Sequence, residues 1–140
     1  MKPYLLCARV KRGDQHGRSI GFPTINLDVA LWPIDLKPGV YASKVTVCEK
    51  DYLGALYFGP RSIKGETKNV LEITLLDFSD TIYGESVVVV VGDFVRSPIM
   101  YQTGKLNESA LQKQIVQDIS EVQRLGRLHW PELYTTNTYA

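Results

Sequence analysis

Cysteine is scarce: Cys7 and Cys48 are the only two in 140 residues, and both sit in apolar, strand-like runs. A free thiol in such a run reads as a small buried hydrophobe rather than as part of a disulfide framework. No staple is required, because 44% apolar content at this length is enough to build a core. Charge of one sign is lacking as well, since 16 basic and 15 acidic residues leave a formal charge of +1. No global field draws the chain towards nucleic acid or an anionic membrane, and no basic or aromatic stripe marks a nucleic-acid face. Long hydrophobic runs are missing too. The apolar patch from Tyr4 to Ala8 meets charge at once and is too short for a signal-peptide core or a membrane span. The expectation is a cytoplasmic monomer with no nucleic-acid or membrane partner, without internal repeats or low-complexity segments.

What the sequence does hold is a series of period-two or continuously apolar stretches rich in β-branched residues, bounded by Gly, Pro, Asp and Asn. They predict strands near Tyr4–Val10, Thr24–Asp28, Val40–Glu49, Tyr52–Gly59, Val70–Phe78 and Ser86–Val95. Short links favour an antiparallel meander or Greek key. The run Val87 to Val91 is apolar on both faces, so something must cover its outside. One helix is predicted, from Glu108 to about Leu125, with Asn107 as its N-cap, Gly126 as its stop, and Leu111, Ile115, Ile119, Val122 and Leu125 at helical spacing. The fold expected is all-β: a small six-stranded antiparallel Greek-key barrel with one C-terminal α-helix packed across it. The domain runs over 1–134, and 135–140 reads as a flexible tail.

The densest chemical signal lies between Gly13 and Leu27. Gly13, Gly17 and Gly21 allow positive φ and close backbone approach, so amides of this segment could face an oxyanion. Pro23 then forces an extended entry into a strand. Alternation along that strand puts Thr24, Asn26 and Asp28 on one side and Ile25, Leu27 and Val29 on the other. A threonine hydroxyl and an asparagine carbonyl two residues apart are hard oxygen ligands suited to Mg²⁺, which takes few protein ligands and fills its shell with water and phosphate oxygens. Composition alone favours a plainer reading, a glycine-rich turn leading into a strand whose Thr and Asn face solvent. His16 is a lone histidine and no basis for a metal site.

The whole string Gly17-Arg18-Ser19-Ile20-Gly21-Phe22-Pro23-Thr24-Ile25-Asn26-Leu27 closely resembles the phosphate- and metal-binding signature of the riboflavin kinase family. Further similar elements follow in order: Gly39-Val40-Tyr41-Ala42, Leu71 to Phe78, Ile82-Tyr83-Gly84, Arg96 and the C-terminal helix. The resemblance covers about Ala8 to Leu125 and implies a riboflavin kinase-type barrel. It also implies an ATP:riboflavin 5′-phosphotransferase, with Mg²⁺ or another divalent cation and ATP as co-substrate, giving FMN and ADP. Carried over residue by residue, Thr24 and Asn26 bind metal and nucleotide phosphates, and Gly17, Arg18, Gly21 and Pro23 contact nucleotide. Glu72 is the general base, and Arg96 and Tyr101 lie on the flavin side. Glu72 shares its strand face with Val70, Thr74 and Leu76, a mixed face that suits a pocket mouth. Trp32 reads as core, as does Trp130 ahead of a flavin-stacking role.

The chain departs from the family pattern at Gln15, where a glycine is usual. It also lacks the Pro-Thr-Phe that commonly follows the arginine in the loop Gly59 to Gly65, and has Tyr57 where a small polar residue is usual. These departures leave the phosphate and base elements intact. With no length for an FMN adenylyltransferase domain, FMN is expected to be the end product. The alternative is a non-catalytic flavin- or nucleotide-binding module with a diverged substrate loop, for which a retained general base has no use.

Overall fold

In the computed structural model, residues 4–11, 24–63, 66–78, 84–99 and 105–134 are described. Six strands, β1 (Tyr4–Arg9), β2 (Thr24–Leu27), β3 (Gly39–Val47), β4 (Lys50–Ile63), β5 (Glu66–Leu75) and β6 (Ser86–Arg96), precede a helix, α1 (Lys105–His129). The strands form one antiparallel sheet in the order β1-β6-β3-β4-β5-β2. A meander of β3, β4 and β5, with β6 returning beside β3, is the Greek-key arrangement. The sheet curls into a half-barrel until its two edges touch, where the Lys11 amide donates to the Asn26 carbonyl at 2.8 Å.

Side-chain alternation gives this sheet an inner and an outer face. Leu6, Ile25, Leu27, Val45, Leu56, Leu71, Ile73, Val87, Val89 and Val91 fill the interior, and Trp32 joins them, stacked on Phe58 with ring centroids 4.9 Å apart. Outside, α1 lies against β3, β4 and β6. Ala42, Ala55 and Leu53 meet Val122, Leu125 and Trp130 there. Trp130 is therefore core, as expected. The small residues on the sheet let the helix come close, and Gly126 carries this furthest: a Cβ at that position would stand 2.8 Å from Leu53 Cδ1. Gly126 is accordingly inside α1 and serves close packing, not termination. Asn107 likewise falls within the helix, not at its cap. The valine run is covered only in part: Val90 packs towards the helix cluster, whereas Val88 stays 38% exposed.

Three other expectations are corrected. The strand carrying Thr24 and Asn26 ends at Leu27, and Asp28 turns to cap a 3₁₀ turn, accepting from the Ala30 amide at 3.0 Å. Alternation therefore fails to carry Asp28 and Val29 onto the two faces. Cys7 and Cys48 are free and exposed: Cys7 points outward from β1, and Cys48 lies in the β3–β4 turn. The stretch expected as a loop from Gly59 extends the β4–β5 hairpin, with Gly59 opposite Val70, Pro60 opposite Asn69 and Arg61 opposite Lys68. Pairing with β3 ends at Phe58, so Pro60 sits where β4 has no second neighbour and its missing N–H costs no ladder bond.

Candidate active site

The residues singled out from sequence that are described gather on the outer face. Asn26 of β2 is the direct register partner of Glu72 of β5, and Thr24 is the partner of Thr74. Glu72 is in turn opposite Tyr57 of β4, Tyr57 opposite Val40 of β3, and Val40 opposite Arg96 of β6. Asn26, Glu72, Tyr57, Val40 and Arg96 thus form one row across five strands. Four strand spacings of about 4.8 Å set the two ends of that row roughly 19 Å apart along the sheet. Gly17, Arg18, Gly21, Pro23, His16 and Tyr101 lie outside the described residues.

Glu72 is buried, with 7% of its surface exposed, unusual for a carboxylate on an outer face. Arg61 of β4 forms an ion pair with its Oε1. The same guanidinium lies over the Tyr57 ring, 5.2 Å from the centroid. Tyr57 is fixed by its hydroxyl, which donates to the Pro60 carbonyl at 2.6 Å. Burial pushes the Tyr57 phenol above its ordinary pKa; the nearby Arg61 and Arg96 guanidinia oppose that shift and Glu72 adds to it. Tyr57 remains a neutral donor at physiological pH.

At the far end of the row Arg96 is turned towards the helix. Its Nε and Nη2 donate to the two carboxylate oxygens of Asp118 at 2.8 and 2.7 Å, and Nη1 donates to the Ser97 carbonyl at 3.0 Å. Gln114 adds a third bond to Asp118 at 3.1 Å. This bidentate grip ties the end of β6 to α1 across the segment that joins them.

Sequence reasoning missed Arg61. Its partnership with Glu72 depends on the hairpin extension past Gly59, and a Gly-Pro pair followed by charge reads as a loop.

The β2–β5 part of the outer face therefore presents a hydroxyl, an amide and a buried, arginine-held carboxylate side by side on two paired strands. Hard oxygens in that number suit a divalent cation that keeps most of its shell for phosphate and water. Among the described residues no cluster of three or more His, Cys, Asp or Glu side chains offers a rival metal site. The riboflavin kinase (flavokinase) family profile matches residues 1–125. The chain belongs to the riboflavin kinase family. It is 33% identical over 121 residues to the RNA-binding riboflavin kinase RibR of Bacillus subtilis (strain 168), covering 86% of this chain and 50% of that one. It is 37% identical over 101 residues to the bifunctional riboflavin kinase/FMN adenylyltransferase of Haemophilus influenzae, covering 71% of this chain and 32% of that protein. The chain thus spans half the length or less of these curated relatives. The crystal structure of riboflavin kinase from Trypanosoma brucei shares its fold, with a TM-score of 0.54 at 19% identity over 99% of this chain and 92% of that one. No helix among the described residues is long and apolar enough to cross a membrane.

Proposed function

We propose that this chain transfers the γ-phosphoryl group of Mg-ATP to the ribityl 5′-hydroxyl of riboflavin, yielding FMN and ADP. The observation that carries this reading is the register of β2 against β5, which sets Asn26 opposite Glu72 with Thr24 two residues along the same face. Thr24 Oγ1 and the Asn26 side-chain carbonyl would hold a divalent cation, whose charge offsets that of the nucleotide phosphates. Glu72 accepts the 5′-hydroxyl proton as the oxygen–phosphorus bond forms and the bond from γ-phosphorus to the bridging oxygen breaks, with the electron pair leaving on ADP. Placing the base one strand from the phosphate-binding pair is the proximity this reaction needs, because its loose transition state asks little covalent chemistry of the protein. Gly17, Arg18, Gly21 and Pro23 would contribute the nucleotide side. Arg96, at the other end of the row and bound to Asp118, would shape the flavin side together with Tyr101 by fixing the segment between β6 and α1.

The balanced charge gives no reason to add a nucleic-acid partner to this reading, and the domain of residues 1–134 is taken as a cytoplasmic monomer. Incubation with riboflavin and Mg-ATP, with products resolved by chromatography, tests it. Glu72→Gln should lower kcat by about 10²- to 10⁴-fold with nucleotide affinity retained. Thr24→Ala and Asn26→Ala should also weaken Mg-nucleotide binding. Failure of the wild-type chain to form FMN, or equal effects of all three variants on binding, would refute the assignment.

A further inference from the structure

We infer that Arg61 is the positioning residue for the Glu72 base, and that Tyr57 and Gly59 are shaped to deliver it; the inference rests on the kinase reading above.

Alternation puts Tyr57, Gly59 and Arg61 on the same face of β4 as Glu72 on β5, yet Arg61 is opposite Lys68, four residues along from the Tyr57–Glu72 pair. To pair with Glu72 its side chain must run back along the strand towards Tyr57. Gly59, between the two, carries no side chain against which the Tyr57 ring would clash. A Cβ on Gly59 would stand 3.0 Å from the Tyr57 hydroxyl and 3.3 Å from Pro98 Cγ, and Gly59 has φ +154°, a conformation L side chains rarely adopt. Glycine is therefore required twice over, for its backbone and for the room it leaves to the tip of the Tyr57 ring. The Tyr57 ring seated there supports Arg61: its hydroxyl is held by the Pro60 carbonyl, and its face receives the guanidinium. Arg61 arrives with its ion pair to Glu72 Oε1 formed.

The consequence for the carboxylate is orientation. A glutamate has three rotatable side-chain bonds, and a guanidinium stacked on one side and ion-paired on the other removes most of that freedom before substrate arrives. Such placement suits a reaction whose acceleration comes from positioning more than from early proton removal. The contacts of Arg61 run to Glu72 and to the Tyr57 ring, so its effect should pass through Glu72.

The test is a double-mutant cycle with Arg61→Gln, Glu72→Gln and the pair, using FMN formation together with titrations of riboflavin and of Mg-AMPPNP. Arg61→Lys is included because it keeps the charge and the aliphatic stem but loses the planar fork, and thermal melts of every variant establish that each is folded. The expected result is a kcat lowered by about 10- to 100-fold in Arg61→Gln, unchanged affinity for both ligands, an intermediate kcat in Arg61→Lys, and no further loss when Arg61→Gln is added to Glu72→Gln. Losses that multiply in the double variant would overturn the proposal, since Arg61 would then act independently of the base. So would an Arg61→Gln defect that lies in nucleotide affinity, or an unchanged kcat. In each of those cases FMN from the wild type leaves the kinase reading standing; a wild type that makes no FMN overturns both.

Discussion

Asp118→Ala would test how firmly α1 is fastened to the sheet. Asp118 accepts two parallel bonds from Arg96 at 2.8 and 2.7 Å and a third from Gln114 at 3.1 Å. Only 8% of its side chain and 21% of the Arg96 side chain remain exposed. Removing one partner of a buried pair costs about 3–5 kcal/mol, because the other charge stays behind without compensation. Here Arg96 keeps one edge in water and its bond to the Ser97 carbonyl, which lowers the expectation to about 2–3 kcal/mol. With an unfolding entropy of about 2.1 cal/mol/K per residue, a chain of this length should lose roughly 7–10 °C in Tm. Urea denaturation followed by tryptophan fluorescence is the assay, since Trp130 lies between helix and sheet and Trp32 inside the barrel. Asp118→Asn keeps the shape and part of the hydrogen bonding and should fall between Ala and wild type. Glu121→Ala, which removes an exposed i,i+3 pair with Arg124 on the same helix, is the control and should leave the midpoint in place. If Asp118→Ala behaves like Glu121→Ala, the clamp contributes no stability and the helix is held by apolar packing alone.

Two further outcomes follow from the backbone and from burial. The two-residue turn between β3 and β4 places Cys48 at φ 50° and Glu49 at φ 68°, the left-handed conformation in which Asn-Gly is favoured; Cys48→Asn with Glu49→Gly should raise stability by about 1 kcal/mol in urea titration, and a loss would contradict a type I′ turn. Tyr57, Tyr41 and Tyr134 all have phenols raised in pKa, burial being the leading cause in each. Folded-state values above the unfolded value of about 10 mean that this contribution is complete below about pH 10 and is lost as pH rises through the folded values. Urea midpoints should therefore fall above about pH 10, less steeply in Tyr57→Phe; a midpoint that rises there would reverse the assigned sign.

The strands were legible because their signal is local. Alternation at Thr24–Leu27 and the bracketing of each apolar run by turn residues need only neighbours in sequence, and the observed strands overlap every expected one. Errors came where a residue type has two uses. Gly126 could stop a helix or let one pack closely, and only the presence of Leu53 beneath it decides. Cys7 and Cys48 were assigned by the company they keep, but one faces outward from an edge strand and the other occupies a turn. Gly59 and Pro60 read as a loop because nothing local reveals that β4 outruns β3 at Phe58. The candidate site was legible only as single residues, for the same reason. Thr24, Asn26 and Glu72 could be named individually, but that Asn26 stands opposite Glu72 is a property of β2–β5 pairing, and the reach of Arg61 is a property of the β4–β5 register.

Core and candidate site use opposite parities of the same strands. Ile25 and Leu27 of β2, Leu71 and Ile73 of β5, and Leu56 of β4 point inward and are almost wholly buried. The residues between them, Asn26, Glu72 and Tyr57, form the outer row. A one-residue slip of β2 against β5 would have to expose Ile25 and Leu27 or separate Asn26 from Glu72. The burial that fixes the register therefore also fixes the spacing of Asn26 and Glu72, the proposed metal ligand and base. Those residues are free to be polar and partly buried, arrangements that add little to folding. The helix divides the remaining outer surface by the same logic. It covers the small apolar positions Ala42 and Ala55 of β3 and β4, whereas the proposed oxygen ligands and the held carboxylate lie on β2 and β5.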